Sequence, residues 1–137
     1  MPNVLIATDA DWIYEEVAAA FGADGVITRV RSGAEVTDAV LDADPDLVVL
    51  DLQIGNMGGM ATCISLHLDA GAGRLPDVLI LMLLDRDADV FLARRSQADG
   101  WLIKPPDAFR LRKAANALLD GDTYTEGVPA DAPDVLL

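Results

Sequence analysis

Four apolar residues, Leu47-Val48-Val49-Leu50, end on a carboxylate, Asp51, and open into Leu52-Gln53-Ile54-Gly55-Asn56-Met57-Gly58-Gly59. The run is continuous, β-branched and of strand length, bounded by Pro45-Asp46 on one side and a glycine-rich loop on the other. Lack of alternation is the pattern of a strand buried on both faces of a parallel sheet. An Asp at its exit sits at the carboxyl edge, where open α/β sheets place their ligands. Taken alone, Asp51 reads as a helix cap or loop residue; the ends of two other strands change that.

The rest of the chain repeats the unit. Asn3 to Thr8 is an apolar run closed by Asp9-Ala10-Asp11, and from Trp12 the period changes, with Ile13, Val17, Ala20 and Phe21 on one helical face and Gly22 as the stop. Asp11 is placed to cap that helix. Gly25–Val30 is a second strand, and Val36, Ala39 and Val40 mark a second helix ending before Asp44-Pro45. After the third strand, a helix over about Met60 to Leu68 carries Ile64 and Leu68 four apart. Asp69 to Asp77 is the longest turn-forming stretch. Val78–Leu83 is a fourth strand, Asp85 to about Gln97 a helix, and Gly100–Ile103 a fifth strand ending in Lys104-Pro105-Pro106. The last helix shows Leu111, Ala115, Leu118 and Leu119 on one face and stops at Asp120-Gly121. Strands alternating with helices predict an α/β, doubly wound five-stranded parallel sheet with five helices. Residues 1–120 form the expected domain, and residues 121–137 an acidic C-terminal tail with Val135-Leu136-Leu137 able to dock on the body.

Composition narrows the partners. The formal charge of −13 argues against nucleic acid, which needs a clustered basic face. Arg94-Arg95 and Arg110/Arg112/Lys113 are the only dense basic groups and read as solvated helix faces. The single Cys63 excludes an internal disulfide, and the single His67 has no second ligand or nucleophile in view and reads as a surface or packing residue. No long uncharged apolar stretch is present, and Met1-Pro2-Asn3 lacks the flank of a signal peptide. A cytoplasmic protein, with no membrane contact, is expected.

Parallel strands end at one edge, so Asp9, Asp51 and Lys104 are expected to converge. Two neighbouring carboxylates need a divalent cation or an ammonium group to neutralise them. Carboxylates, a carbonyl and waters suit Mg²⁺, and a carboxylate nucleophile beside Mg²⁺ and Lys is equipped for phosphoryl transfer. The bland alternative is a salt bridge among three unrelated loop residues.

Three stretches together resemble the receiver domain of two-component response regulators: Val4 to Asp9, Asp46 to Gly59, and Ala98 to Pro105. The resemblance covers roughly Asn3 to Leu119. It implies a flavodoxin-like fold with strand order 2-1-3-4-5, Asp51 as acceptor of phosphate from a histidine kinase or phosphotransfer protein, Mg²⁺ on Asp9, Asp51 and the main-chain carbonyl of Gln53, and Lys104 against the phosphoryl group. It also implies output through a protein contact at the face of the fourth helix, fifth strand and fifth helix.

Departures from the family pattern are equally specific. Thr8 stands where a second acid is usual, with Asp11 able to assist through water. Counting back from Lys104 puts Met82 at the fourth strand end, where the family has a Ser or Thr hydroxyl, and no Ser or Thr occurs between Pro76 and Arg95. Trp101 occupies the place of a Tyr or Phe that swings inward, and serves equally as cover for the sheet edge or an interface face. Gly55 replaces a common proline. Two readings follow: a stand-alone, non-enzymatic phosphoacceptor with atypical switch residues, monomeric or weakly dimeric, whose downstream protein the sequence does not identify; or a degenerate receiver that binds protein without phosphorylation. A third, a haloacid dehalogenase-type phosphatase, rests on Asp9-Ala10-Asp11 alone.

Overall fold

Each apolar run becomes a strand and each helical period a helix in the computed structural model, which describes residues 2–23 and 25–127. The order is β1 (Asn3–Ala7), α1 (Asp11–Phe21), β2 (Val26–Val30), α2 (Val36–Ala43), β3 (Leu47–Asp51), α3 (Gly59–Gly71), β4 (Leu79–Leu84), α4 (Val90–Arg95), β5 (Gly100–Ile103) and α5 (Ala108–Leu119), with short 3₁₀ turns before α2 and α4. All strand pairs are parallel, and the sheet order is β2-β1-β3-β4-β5.

Alternate strand residues feed two cores, which is why the strands read as unbroken apolar runs. Leu5, Val48, Leu50, Ile80, Met82, Leu84 and Trp101 pack with Val36, Val40, Cys63, Leu66, Val90 and Ala93 of α2, α3 and α4. Val4, Ile6, Leu47, Val49, Leu81, Leu83 and Leu102 pack with Ile13, Val17 and Phe21 of α1 and Leu111, Ala114, Ala115 and Leu118 of α5.

Local expectations fail where tertiary contacts set the phase. Asp11 is the first residue of α1 and not its cap, because it pairs with Arg29 (2.9 Å) and Arg31 (3.3 Å) on and beside β2. On α3 the buried residues are Gly59, Thr62, Cys63 and Leu66, while Ile64 and Leu68 are 37% and 66% exposed. Gly59 sets that rotation, since a Cβ there would lie 2.7 Å from the Asp51 carbonyl oxygen and from Leu52 Cα. The helix continues to Gly71 and shortens the turn-forming stretch, and the predicted fourth helix is only six residues after its 3₁₀ turn. Ala114 takes the buried place expected of Leu119, which is 41% exposed.

Beyond α5, the chain returns to β5. Tyr124 forms a parallel bridge with Gly100, and Trp101 N–H donates to the Tyr124 carbonyl (2.9 Å). The Glu126 carboxylate accepts from Ile103 N–H (3.0 Å), Arg110 Nε (2.9 Å), Arg110 Nη2 and the Tyr124 hydroxyl (3.0 Å). Val135-Leu136-Leu137, expected to dock, lie outside the described residues.

Two outcomes follow. Gly59→Ala drives a methyl into main chain that cannot yield, and about 1–3 kcal/mol of stability is lost; an unchanged urea midpoint would contradict the packing argument. Burial raises the Glu126 pKa, but the hydrogen bonds from Arg110, Ile103 N–H and Tyr124 and the Arg110 charge outweigh it, leaving the carboxyl below its ordinary 4.5. A depressed folded-state pKa stabilises fully above the ordinary value, and that contribution is lost as pH falls through the folded value. Release of this segment, followed through the Trp101 indole NMR resonance, is therefore expected at a midpoint below 4.5. Glu126→Gln should abolish that acid transition, and a midpoint above the ordinary value would reverse the sign of the argument.

Candidate functional site

The carboxyl edge of the sheet brings Asp51 and Lys104 into contact. Asp51 is 2% exposed, and an ionised carboxylate so placed needs donors on both oxygens. Oδ1 accepts from Lys104 Nζ at 2.6 Å and from Gln53 N–H at 3.0 Å. Oδ2 accepts from the Thr8 hydroxyl at 2.7 Å. Thr8 is itself fully buried, and its oxygen accepts from Ala10 N–H at 3.1 Å, which fixes the hydroxyl proton toward Asp51. Lys104 reaches the pocket because β5 ends beside β4, with Lys104 N–H on the Leu84 carbonyl at 2.7 Å.

Asp9 is exposed at the exit of β1, and its Oδ2 accepts from Gly55 N–H at 3.2 Å, tying it to the loop after β3. Asp85, unrecognised in the sequence as a site residue, accepts from Lys104 Nζ at 3.0 Å. The rule that located Lys104 would have found it, since Asp85 is the first residue beyond β4. Asp11 pairs instead with Arg29 (2.9 Å) and Arg31 (3.3 Å), and the Arg29 hydrogen bond and the charges of Arg31 and Arg29 hold its carboxyl below the usual range.

The placement of Met82 also needs correction. Met82 pairs with Leu50, one step inside the sheet, and is fully buried; Asp51 pairs with Leu83. The residue that ends β4 is Leu84, opposite Ile103. The strand end still presents no hydroxyl. Trp101 is 5% exposed, opposite Met82, with its indole N–H donating to the Glu126 carbonyl at 3.1 Å.

Other singled-out residues stay out of the chemistry. His67 Nε2 donates to the Gln97 carbonyl at 2.8 Å, joining α3 to the end of α4. Cys63 is buried, and burial pushes its thiol up to about 11. Among the described residues no three His, Cys, Asp or Glu side chains gather as a metal cage. The carboxylates at this edge are those of Asp51, Asp9 and Asp85, with the Gln53 main chain held on Asp51 through its N–H. That set suits Mg²⁺, which is held by one or two carboxylates and keeps several waters. No described helix is long and apolar enough to cross a membrane.

Comparison with known proteins agrees with this fold. The nitrate/nitrite response regulator protein NarP of Escherichia coli is 33% identical over 92 residues, 67% of this chain and 41% of NarP. The DNA-binding response regulator MtrA of Mycolicibacterium smegmatis is 32% identical over 104 residues, 75% of this chain and 44% of MtrA. The chain thus spans less than half the length of these relatives. A LuxR-family two-component response regulator from an Aurantimonas species superposes with a TM-score of 0.77 at 21% identity, covering 90% of this chain and 89% of that one. Chemotaxis response regulator CheY4 of Vibrio cholerae does so at 0.74 and 22%, covering 85% and 97%. These two likenesses speak to the fold. The family model of the response regulator receiver domain matches residues 4–116, and the chain belongs to that family.

Proposed function

We propose that this chain accepts a phosphoryl group on Asp51 from a phosphohistidine of a histidine kinase or phosphotransfer protein, and passes the signal on through protein contact. The buried Asp51 carboxylate with Lys104 Nζ at 2.6 Å carries this reading. An Asp51 oxygen attacks phosphorus, the bond from phosphorus to the donor imidazole breaks, and an acyl phosphate forms. Lys104 stays at the site as a point charge for the phosphoryl oxygens. Gln53 N–H fixes one Asp51 oxygen and the Thr8 hydroxyl the other, so the nucleophile is oriented before the donor arrives. Mg²⁺, held by Asp9, Asp51 and the Gln53 carbonyl, would supply further neutralisation of the phosphoryl charge. The chain acts as a phosphoacceptor in the cytoplasm, not as a turnover enzyme.

A second reading, protein binding without phosphorylation, is favoured by one feature: Leu84, which cannot donate a hydrogen bond to a phosphoryl oxygen, ends β4. The phosphatase reading loses its second acid, because Asp11 is held by Arg29 and Arg31.

With acetyl phosphate, intact-mass analysis should show one added phosphoryl group on the native chain and none on Asp51→Asn. Equal labelling of both would remove Asp51 as acceptor. Saturation with beryllofluoride and Mg²⁺ should move NMR resonances in the loops bearing Asp9, Gln53 and Lys104. Shifts just as large throughout α4 and β5 would show that a hydroxyl at the end of β4 is unnecessary for the switch.

A further inference from the structure

Lys104 owes its place to more than its own strand. Its ammonium meets Asp51 at 2.6 Å and Asp85 at 3.0 Å, and its N–H is on the Leu84 carbonyl at 2.7 Å. The peptide groups around it are fastened from α5. Arg110 Nη2 donates to the Ile103 carbonyl at 2.9 Å and Nη1 to the Pro105 carbonyl at 2.8 Å, so one guanidinium spans the residue whose ammonium reaches Asp51. A lysine carries its charge on a flexible four-carbon stem, and that charge is aimed only as well as the backbone beneath it is held.

Arg110 is in turn set by residues beyond α5. The Glu126 carboxylate accepts from its Nε at 2.9 Å and from its Nη2, a two-point grip that fixes the plane of the fork. That carboxylate is placed by Ile103 N–H and the Tyr124 hydroxyl, both at 3.0 Å, while the Glu126 carbonyl takes the Trp101 indole N–H at 3.1 Å. The Arg110 and Glu126 side chains keep 28% and 19% of their surface, so the pair escapes much of the screening that makes exposed ion pairs weak. Asp107 is the lesser tether, 3.2 Å from Nη1 and 52% exposed.

We infer that Arg110 and Glu126 are positioning residues for Lys104: the carboxylate orients the guanidinium, the guanidinium fixes the peptide groups flanking Lys104, and the rate at which Asp51 accepts a phosphoryl group depends on that chain of contacts. The inference rests on the phosphoacceptor reading and extends it to residues outside the acidic pocket.

The full chain tests it with acetyl phosphate and Mg²⁺, Asp51 attacking phosphorus and acetate leaving, with the labelling rate followed by intact mass. Arg110→Ala should slow labelling about tenfold or more, since misplacing a group at the reacting centre by about 1 Å can cost about a hundredfold. Glu126→Ala should slow it less, because Asp107 still holds Nη1. Arg110→Lys should not restore the rate, as an ammonium lacks the fork that spans both carbonyls and Glu126. In a Lys104→Ala background, itself slow, neither substitution should slow labelling further, because residues that act through one another do not add. The Lys104 Nζ–H NMR signal, recorded without Mg²⁺ or phosphodonor, should broaden in Arg110→Ala and Glu126→Ala while the Val48 and Val49 amides keep native exchange. Glu126→Gln, which keeps the shape and loses the charge, should move both readouts the same way and serves where Arg110→Ala does not fold. Undiminished labelling in the single variants, an unchanged Lys104 signal, or further slowing in the Lys104→Ala background would each overturn the inference. Absence of labelling on the native chain would instead remove the phosphoacceptor reading, and the Lys104 signal would then decide by itself whether the pair positions the ammonium.

Discussion

The arrangement at the sheet edge depends on a single desolvated charge. Asp51 keeps 2% of its surface, and withdrawing a carboxylate from water costs several kcal/mol unless its oxygens find donors. The donors come from three places in the chain: Thr8 beyond β1, Gln53 in the turn after β3 and Lys104 beyond β5. Only a parallel sheet in the order β2-β1-β3-β4-β5, with β3 central, brings those ends to one carboxylate. Breaking such a buried pair from one side costs about 3–5 kcal/mol, so the site and the strand register stabilise each other.

Thr8 changes what the pocket is. An acid in its place would repel Asp51, whereas the hydroxyl donates to it at 2.7 Å. The remaining acids, Asp9 and Asp85, lie further out, and Asp85 shares Lys104 with Asp51. Lys104 is thus held between a buried carboxylate and a half-exposed one, at 2.6 and 3.0 Å.

Strands and the central pair were legible in the sequence for a simple reason. Burial on both faces writes a strand as a continuous apolar run, and parallel strands must end together, which places Asp51 and Lys104 without any knowledge of packing. What escaped depends on contacts between elements. The face of α3 is set by Gly59 lying flush on the Asp51 backbone, so the periodicity of Ile64 and Leu68 pointed outward instead. Asp11 stands where a cap would, but two arginines on and beside β2 claim it. Met82 lies one step inside the sheet opposite Leu50, and Leu84 ends the strand, because an unbroken apolar run does not mark which of its residues is the last in the ladder. Tyr124 and Glu126 sit in a stretch whose composition says only acidic and extended.

Arg110 joins the edge that carries Lys104 to the segment that covers β5. Its Nη2 donates to the Ile103 carbonyl at 2.9 Å and its Nη1 to the Pro105 carbonyl at 2.8 Å, one on either side of Lys104. The same guanidinium grips Glu126 through Nε at 2.9 Å. With Nη1 also on the Asp107 carboxylate at 3.2 Å, the planar fork has four partners and little freedom left, so the free energy of holding the acidic segment includes that of ordering the Lys104 loop. Once either is in place, the entropy of fixing Arg110 has already been lost, and the other binds at lower cost. Any free-energy coupling carried by this shared guanidinium is reciprocal: to whatever extent the segment at Glu126 orders the loop bearing Lys104, a Lys104 held on Asp51 favours the segment equally.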